Sequence, residues 1–216
     1  MVKWNGHFPA RFPPCEASIM LRNAFLIFLA VGSYGLLHSL TASHQAKQWV
    51  RQHLGEAAFR WYRLAYNVVF TLLLLPLLGL PAALPDRVLY VIHPPWVYVT
   101  TALQIAGLAL AIDATLRTDL WAFLGLRPEK PAQEAHLVIR GAYRWVRHPM
   151  YSGSLLFIWL MPAMTLNTAL FYAALTLYII IGAYFEERKL LAEYGEAYRA
   201  YQQKVPMLIP RWPRKP

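Results

Sequence analysis

From Pro149 to Phe185 the chain carries no Asp, Glu, Lys or Arg. A helix crosses the hydrocarbon core of a bilayer with roughly 20 apolar residues, so this run is about twice what one crossing needs. Pro162 and the pair Asn167-Thr168 interrupt it. The run therefore predicts two short helices in a tight hairpin. Asn23–Ala42, Leu64–Pro85 and His93–Ile112 are three further apolar stretches of spanning length. The expectation is an all-α integral membrane protein of about five transmembrane helices, the last two a hairpin, followed by a C-terminal interfacial helix.

Composition agrees, with 57% of the 216 residues hydrophobic and 15% charged. The net charge of +10 does not point to nucleic acid, because the basic residues lie between apolar segments instead of forming one soluble patch. One cysteine, Cys15, excludes an internal disulfide, and the histidine spacing offers no recognisable metal site. The first 19 residues do not read as a signal peptide, since Pro9, Pro13 and Pro14 interrupt them; Met20 is an alternative start.

Sidedness follows from the cations. The segments 43–63, 113–148 and 186–216 hold 4, 6 and 7 of the 21 Lys and Arg residues. With five crossings these segments share one side, which the positive-inside rule assigns to the cytoplasm, leaving the N-terminus outside.

Two polar clusters flank the charge-free run. The first is GAYRWVRHPMYSG, Gly141 to Gly153. Pro149 turns the chain at His148 and suits the first turn of a helix. Arg144 and Arg147 then stand at a helix N-terminus, a place for an anion, although Arg, Trp and Tyr also serve as plain membrane anchors. In the second cluster, FEERKLLAEYGEAYRAYQQKVPMLIP, Leu191, Tyr194, Tyr198 and Tyr201 recur at helical spacing. Glu186 and Glu187 sit at the exit of a span, where acids are unfavourable unless a cation meets them. A hairpin returns them to the bilayer face of Arg144, Arg147 and His148, so acidic and basic groups converge as a zwitterionic ligand requires.

The pattern G-x-Y-R-x-x-R-H-P-x-Y-x-G, the charge-free hairpin, E-E-x-x-L-x-x-x-Y-G-x-x-Y-x-x-Y and V-P-x-L-I-P together resemble the isoprenylcysteine carboxyl methyltransferases and their phospholipid methyltransferase relatives, over about His136 to Pro210. The resemblance implies S-adenosylmethionine (SAM) as cofactor in a cytosolic pocket above the hairpin. By position it implies His136, Leu137, Val138, Tyr143, His148, Pro149, Met150, Tyr151, Glu186 and Glu187 as cofactor contacts. Arg147, and after it Arg144, would steer or stabilise an anionic acceptor.

Gly182 stands where the carboxyl methyltransferases place an arginine for the prenylcysteine carboxylate, which argues against that acceptor. A small thiol or a phospholipid amine fits better, as a lipophilic or small-molecule acceptor within membrane lipids. HSLTAS with Lys47, and RLAYN at 63–67, resemble the NnrU membrane family and some bacterial small-thiol methyltransferases. A bacterial inner membrane is the implied location. One domain is expected: an extension 1–22, three spans 23–112, a cofactor segment 113–148, the hairpin 149–185 and a second cofactor segment 186–216. His38, Ser39, Asn67, Gln104 and Asp113 are either packing groups or substrate-cavity groups. The rival readings are a non-enzymatic NnrU-like accessory protein and an NADPH-dependent enzyme like the sterol reductases, which share a similar C-terminal pattern.

Overall fold

The computed structural model describes residues 14–118, 120–127 and 137–210. Four of its helices are long and apolar enough to cross a membrane: α1 (Pro14–Thr41), α2 (His44–Ala83), α3 (Trp96–Leu116) and α6 (Leu166–Tyr194). Large apolar side chains along them face outward, among them Leu36, Leu72, Ile105 and Leu177, as lipid-facing helices require. Each helix starts or ends with the local chemistry expected of it. The Ser43 hydroxyl caps α2 by accepting from the Ala46 N–H, and the Thr165 hydroxyl caps α6 by accepting from the Thr168 N–H.

The hairpin departs from the expectation of two short helices. Its first arm is α5 (Pro149–Trp159), only 11 residues, and its second is the 29-residue α6, which begins at Leu166 and runs on through both glutamates to Tyr194. Asn167 lies in the first turn of α6 instead of breaking it. The arms are joined by β2 (Ala163–Thr165), which pairs antiparallel with β1 (Val88–Val91) from the α2–α3 connection. The Ile92 N–H donates to the Pro162 carbonyl and the Leu166 N–H to the Arg87 carbonyl. These bonds fix the far end of the hairpin beside the α2–α3 loop, while His148 and Glu187 meet at the other end. A helix of about 16 Å followed by an extended strand thus runs from one end of the bundle to the other.

Polar groups tie the bundle at both levels. The buried Asn167 amide donates to the Pro81, Leu84 and Pro85 carbonyls and accepts from Asn23, joining α1, α2 and α6. Gln104 of α3 donates to the Phe157 carbonyl near the end of α5. The His38 ring lies 3.0 Å from the Tyr178 hydroxyl across α1 and α6, so it serves as a helix–helix contact. Asp113 forms a two-point ion pair with Arg117, one turn on in the same helix, at 2.7 and 2.8 Å. Between α3 and α5 the backbones almost touch: a Cβ on Gly107 would come within 2.8 Å of the Gly153 carbonyl oxygen. Such small-residue contacts are how apolar helices pack without a hydrophobic driving force between them.

Candidate active site

The polar end of the hairpin is assembled by backbone pairing. The Arg147 and His148 N–H groups donate to the Pro206 and Met207 carbonyls, and the Ser152 hydroxyl donates to the Leu208 carbonyl. The V-P-M-L-I-P stretch is therefore a strap across the mouth of α5. Before it, Gly195 (φ 54°) ends α6 and reverses the chain into α7 (Glu196–Lys204). A positive φ is easiest for glycine, which has no Cβ to clash. The turn lays Tyr198 and Tyr201 onto Leu137, Leu190, Leu191 and Tyr194, so the aromatic face of α7 is covered by protein.

Arg147 sits at the centre of this end. Its Nε donates to Glu187 at 2.6 Å, and its Nη1 donates to the Gln202 and Val205 carbonyls at the end of α7. The pair is nearly buried, at 10% and 13% side-chain exposure. Glu187 also accepts from Gln202 at 3.0 Å and lies 3.2 Å from His148 Nε2. Each charge thus has an opposite charge and further hydrogen bonds, the condition under which an ion pair can be buried. Glu186 differs. It accepts from the Tyr151 hydroxyl at 2.9 Å, stands 3.5 Å from His148 Nδ1, and keeps 45% of its side chain exposed. The His148 and Tyr151 rings stack, 5.4 Å between centroids and 15° from parallel.

These groups border a cleft of about 230 Å³. Leu137, Val138, Tyr143, Arg147, His148, Pro149, Met150, Tyr151 and Glu186 line it. Nine of the residues expected from the sequence are therefore brought together. Two others stand apart from the lining: Glu187 lies behind Arg147, and Arg144 is exposed on the 3-10 turn Gly141–Arg144. His136 lies outside the described residues. The sequence reading missed Thr118, Leu190, Tyr194, Tyr198 and Tyr201 as lining residues. The tyrosines were visible as a periodic stripe, but a stripe does not reveal what it packs against.

The cleft offers a ligand one half-exposed carboxylate together with several hydrogen-bond donors. In the first turn of α5 the Met150 and Tyr151 N–H groups have no acceptor within the helix, because the first bond is Ser152 N–H to the His148 carbonyl. Burial pushes the Tyr143, Tyr198 and Tyr201 hydroxyls up, Tyr201 to about 12, so they stay neutral donors at ordinary pH. Tyr201 donates to the Tyr143 carbonyl. The Tyr198 hydroxyl is buried at the wall without a well-formed hydrogen bond, an incomplete arrangement that a ligand atom would complete.

The fold and the site define an all-α membrane protein whose last helices build a polar, aromatic-walled cleft at one end of the bundle. The chain belongs to the family described as protein of unknown function DUF1295, which matches residues 41–205. It is 32% identical over 192 residues to the methanethiol S-methyltransferase of Mycobacterium tuberculosis, covering 86% of this chain and 77% of that protein. It is 34% identical over 196 residues to the methanethiol S-methyltransferase of Pseudomonas deceptionensis, covering 87% and 73%. Over 123 residues it is 31% identical to the protein-S-isoprenylcysteine O-methyltransferase of Schizosaccharomyces pombe, covering 54% and 51%. These relatives place the chain among membrane methyltransferases. No solved structure matches it significantly.

Proposed function

We propose that this protein transfers the methyl group of SAM to a small thiol, with the cleft at residues 137–151 and 186–201 holding the cofactor. The observation that carries the assignment is Glu186, a half-exposed carboxylate held by Tyr151 and His148 and the one acid among the residues that line the cleft. It suits the ammonium of an amino-acid cofactor, and the α5 N-terminus beside it suits the carboxylate. The volume falls below the roughly 300–1,000 Å³ of sites that bury a whole drug-sized ligand, so it suits the amino-acid and sulfonium end while the remainder lies along the tyrosine wall.

When bound, SAM supplies a sulfonium methyl group with an already activated leaving group. The residues of this chain orient and shield. Glu186 and the α5 N–H groups fix one end, and Leu190, Tyr194 and Tyr198 keep water from the other. A thiol reacts as its thiolate, which nearby cations favour. Arg144, exposed beside Tyr143, is the cation suited to draw the acceptor in. Arg147, held between Glu187 and two carbonyls, is a positioning residue that keeps the wall of the cleft in place. Gly182 leaves open space where a side chain would otherwise stand, which suits an acceptor that needs no fixed cation at that place.

Functionally the chain is one domain. The N-terminus lies outside and the C-terminus in the cytoplasm of a bacterial inner membrane, so that the cleft opens to cytosolic SAM. Calorimetry with SAM and headspace detection of dimethyl sulfide from methanethiol test the proposal. Glu186→Gln is expected to weaken SAM binding by roughly 10- to 100-fold, the worth of one charge-assisted hydrogen bond. Binding of NADPH in place of SAM would favour a reductase. Binding of neither by folded protein would favour an accessory role.

A further inference from the structure

His38, near the end of the first span, stands among aromatic rings from three helices. Its ring stacks on Tyr34 of α1 at 6.0 Å between centroids and meets the Tyr66 and Phe70 rings of α2 at 5.2 and 5.0 Å. Its Nδ1 lies 3.0 Å from the Tyr178 hydroxyl of α6, which is hydrogen-bonded in turn to the Ser39 side chain. Packing alone does not require an imidazole there. A phenyl ring would fill the same space without bringing polar atoms into the span.

The backbone builds this cluster. Gly35 lets Tyr178 lie against α1, since a Cβ there would meet the Tyr178 ring at 2.6 Å. Tyr34 donates to the Phe70 carbonyl, Tyr62 to the Thr41 carbonyl and Tyr66 to the His38 carbonyl, which ties α1 to α2 around the imidazole. The turn after α4 (Leu120–Leu124) braces this part of α2: a Cβ on Gly125 would come within 2.5 Å of the Leu64 nitrogen.

The cluster adjoins the cleft. Tyr178, Gly182 and Glu186 follow one another at four-residue spacing in α6 and so share a face of that helix. Glu186 belongs to the cleft, and a Cβ added to Gly182 would meet nothing within 4 Å. Tyr151 joins the two ends, donating to Glu186 at 2.9 Å and interacting electrostatically with Tyr178. An open space thus lies between the carboxylate and the His38–Tyr178 pair, about 6 Å along the helix from each. In the tautomer with its proton on Nδ1, the imidazole donates to the Tyr178 oxygen, the Tyr178 proton goes to Ser39, and Nε2 carries a lone pair. We propose that the space beside Gly182 holds the acceptor thiol and that His38 Nε2 takes its proton, an inference that rests on the thiol methyltransferase reading. The S–H bond gives its proton to Nε2, and the sulfur's electron pair forms the new bond to the methyl carbon. The bond from that carbon to the sulfonium breaks, leaving its pair on the departing sulfur, and the imidazolium returns the proton to water. Aromatic rings around the space suit a small sulfur compound.

The test compares two small thiols, methanethiol and the more acidic trifluoroethanethiol, with SAM binding followed by calorimetry. His38→Gln is expected to leave SAM binding unchanged and to lower kcat/KM for methanethiol by about 100-fold at neutral pH, the worth of a general base. For trifluoroethanethiol, which ionises more readily unaided, the loss should shrink to about tenfold or less. Tyr178→Phe keeps the ring and removes the partner of Nδ1, so it should give the same split at smaller size, and it serves if His38→Gln does not fold. Gly182→Leu fills the open space and should raise KM for both thiols by about tenfold while SAM still binds. Equal losses for the two thiols in the His38 and Tyr178 variants would make His38 a packing group and overturn the proposal. An unchanged KM in Gly182→Leu would overturn it too. Wild type that methylates methanethiol keeps the thiol methyltransferase reading in either case, whereas wild type that binds SAM and methylates neither thiol overturns both.

Discussion

Arg147 shows how far a charged side chain's role depends on its partners. On sequence it is a free cation at a helix mouth, suited to attract an anionic acceptor. In the fold its Nε meets Glu187 and its Nη1 closes the end of α7, with little solvent access to either partner. Removing the arginine alone leaves a nearly buried carboxylate with only His148 and Gln202 to face. Arg147→Met should therefore destabilise the protein by about 3 kcal/mol, while Arg147→Met/Glu187→Leu recovers most of that loss. Thermal unfolding in detergent reads the stability, and calorimetry with SAM reads the site. If the double variant regains stability and SAM binding and still turns over thiol, Arg147 acts by holding the wall. Regained stability and binding without turnover would return it to the acceptor.

At the scale of elements, the α3–α5 contact decides whether the site has a floor. A Cβ on Gly153 would strike the Gly107 carbonyl oxygen and come within 2.8 Å of the Ala111 nitrogen, both backbone atoms that cannot rotate away. Gly153→Val should push α5 off α3, lower stability by about 1–3 kcal/mol and carry His148 and Tyr151 out of place. SAM binding should fall with it. Gly32→Ala and Gly79→Ala, where an added Cβ meets nothing within 4 Å, should be neutral or slightly stabilising by thermal unfolding. The same element shows what a sequence can reveal. Pro149 and the paired glutamates were legible as a helix start and as acids at a span's exit, because each carries a local physical constraint. The strand pair was not: β1 is exposed at all four residues, without a burial alternation, and β2 has only three. Nor was the course of α6 legible, since charge marks where a helix leaves lipid and not where it stops. Only the left-handed turn at Gly195 ends it, and that turn makes the tyrosine stripe a wall of the cleft.

For the whole molecule, the proposed orientation turns on the basic segments and on how the hairpin passes through the membrane. The segments 43–63, 113–148 and 186–216, with 17 of the 21 Lys and Arg residues, follow α1, α3 and the hairpin, and their described parts gather at the end that holds the cleft. Their common side depends on the hairpin's passage. Because α5 has only 11 residues, the strand β2 must complete the path to the opposite end before α6 returns. If that passage counts as a crossing, the two ends of the chain lie on opposite sides of the membrane. If α5 merely dips into the bilayer and returns, four crossings remain and the ends share a side. Positive charge favours the first arrangement, because the second would divide the basic segments between the two faces. A fluorescent-protein fusion at the C-terminus should therefore be bright, and an alkaline phosphatase fusion there inactive. A phosphatase fusion in the loop at Asp86 should be active. An inactive phosphatase at Asp86 beside an active one at the C-terminus would invert the bundle's relation to the membrane and remove the cleft from cytosolic SAM, even with every side-chain contact in place.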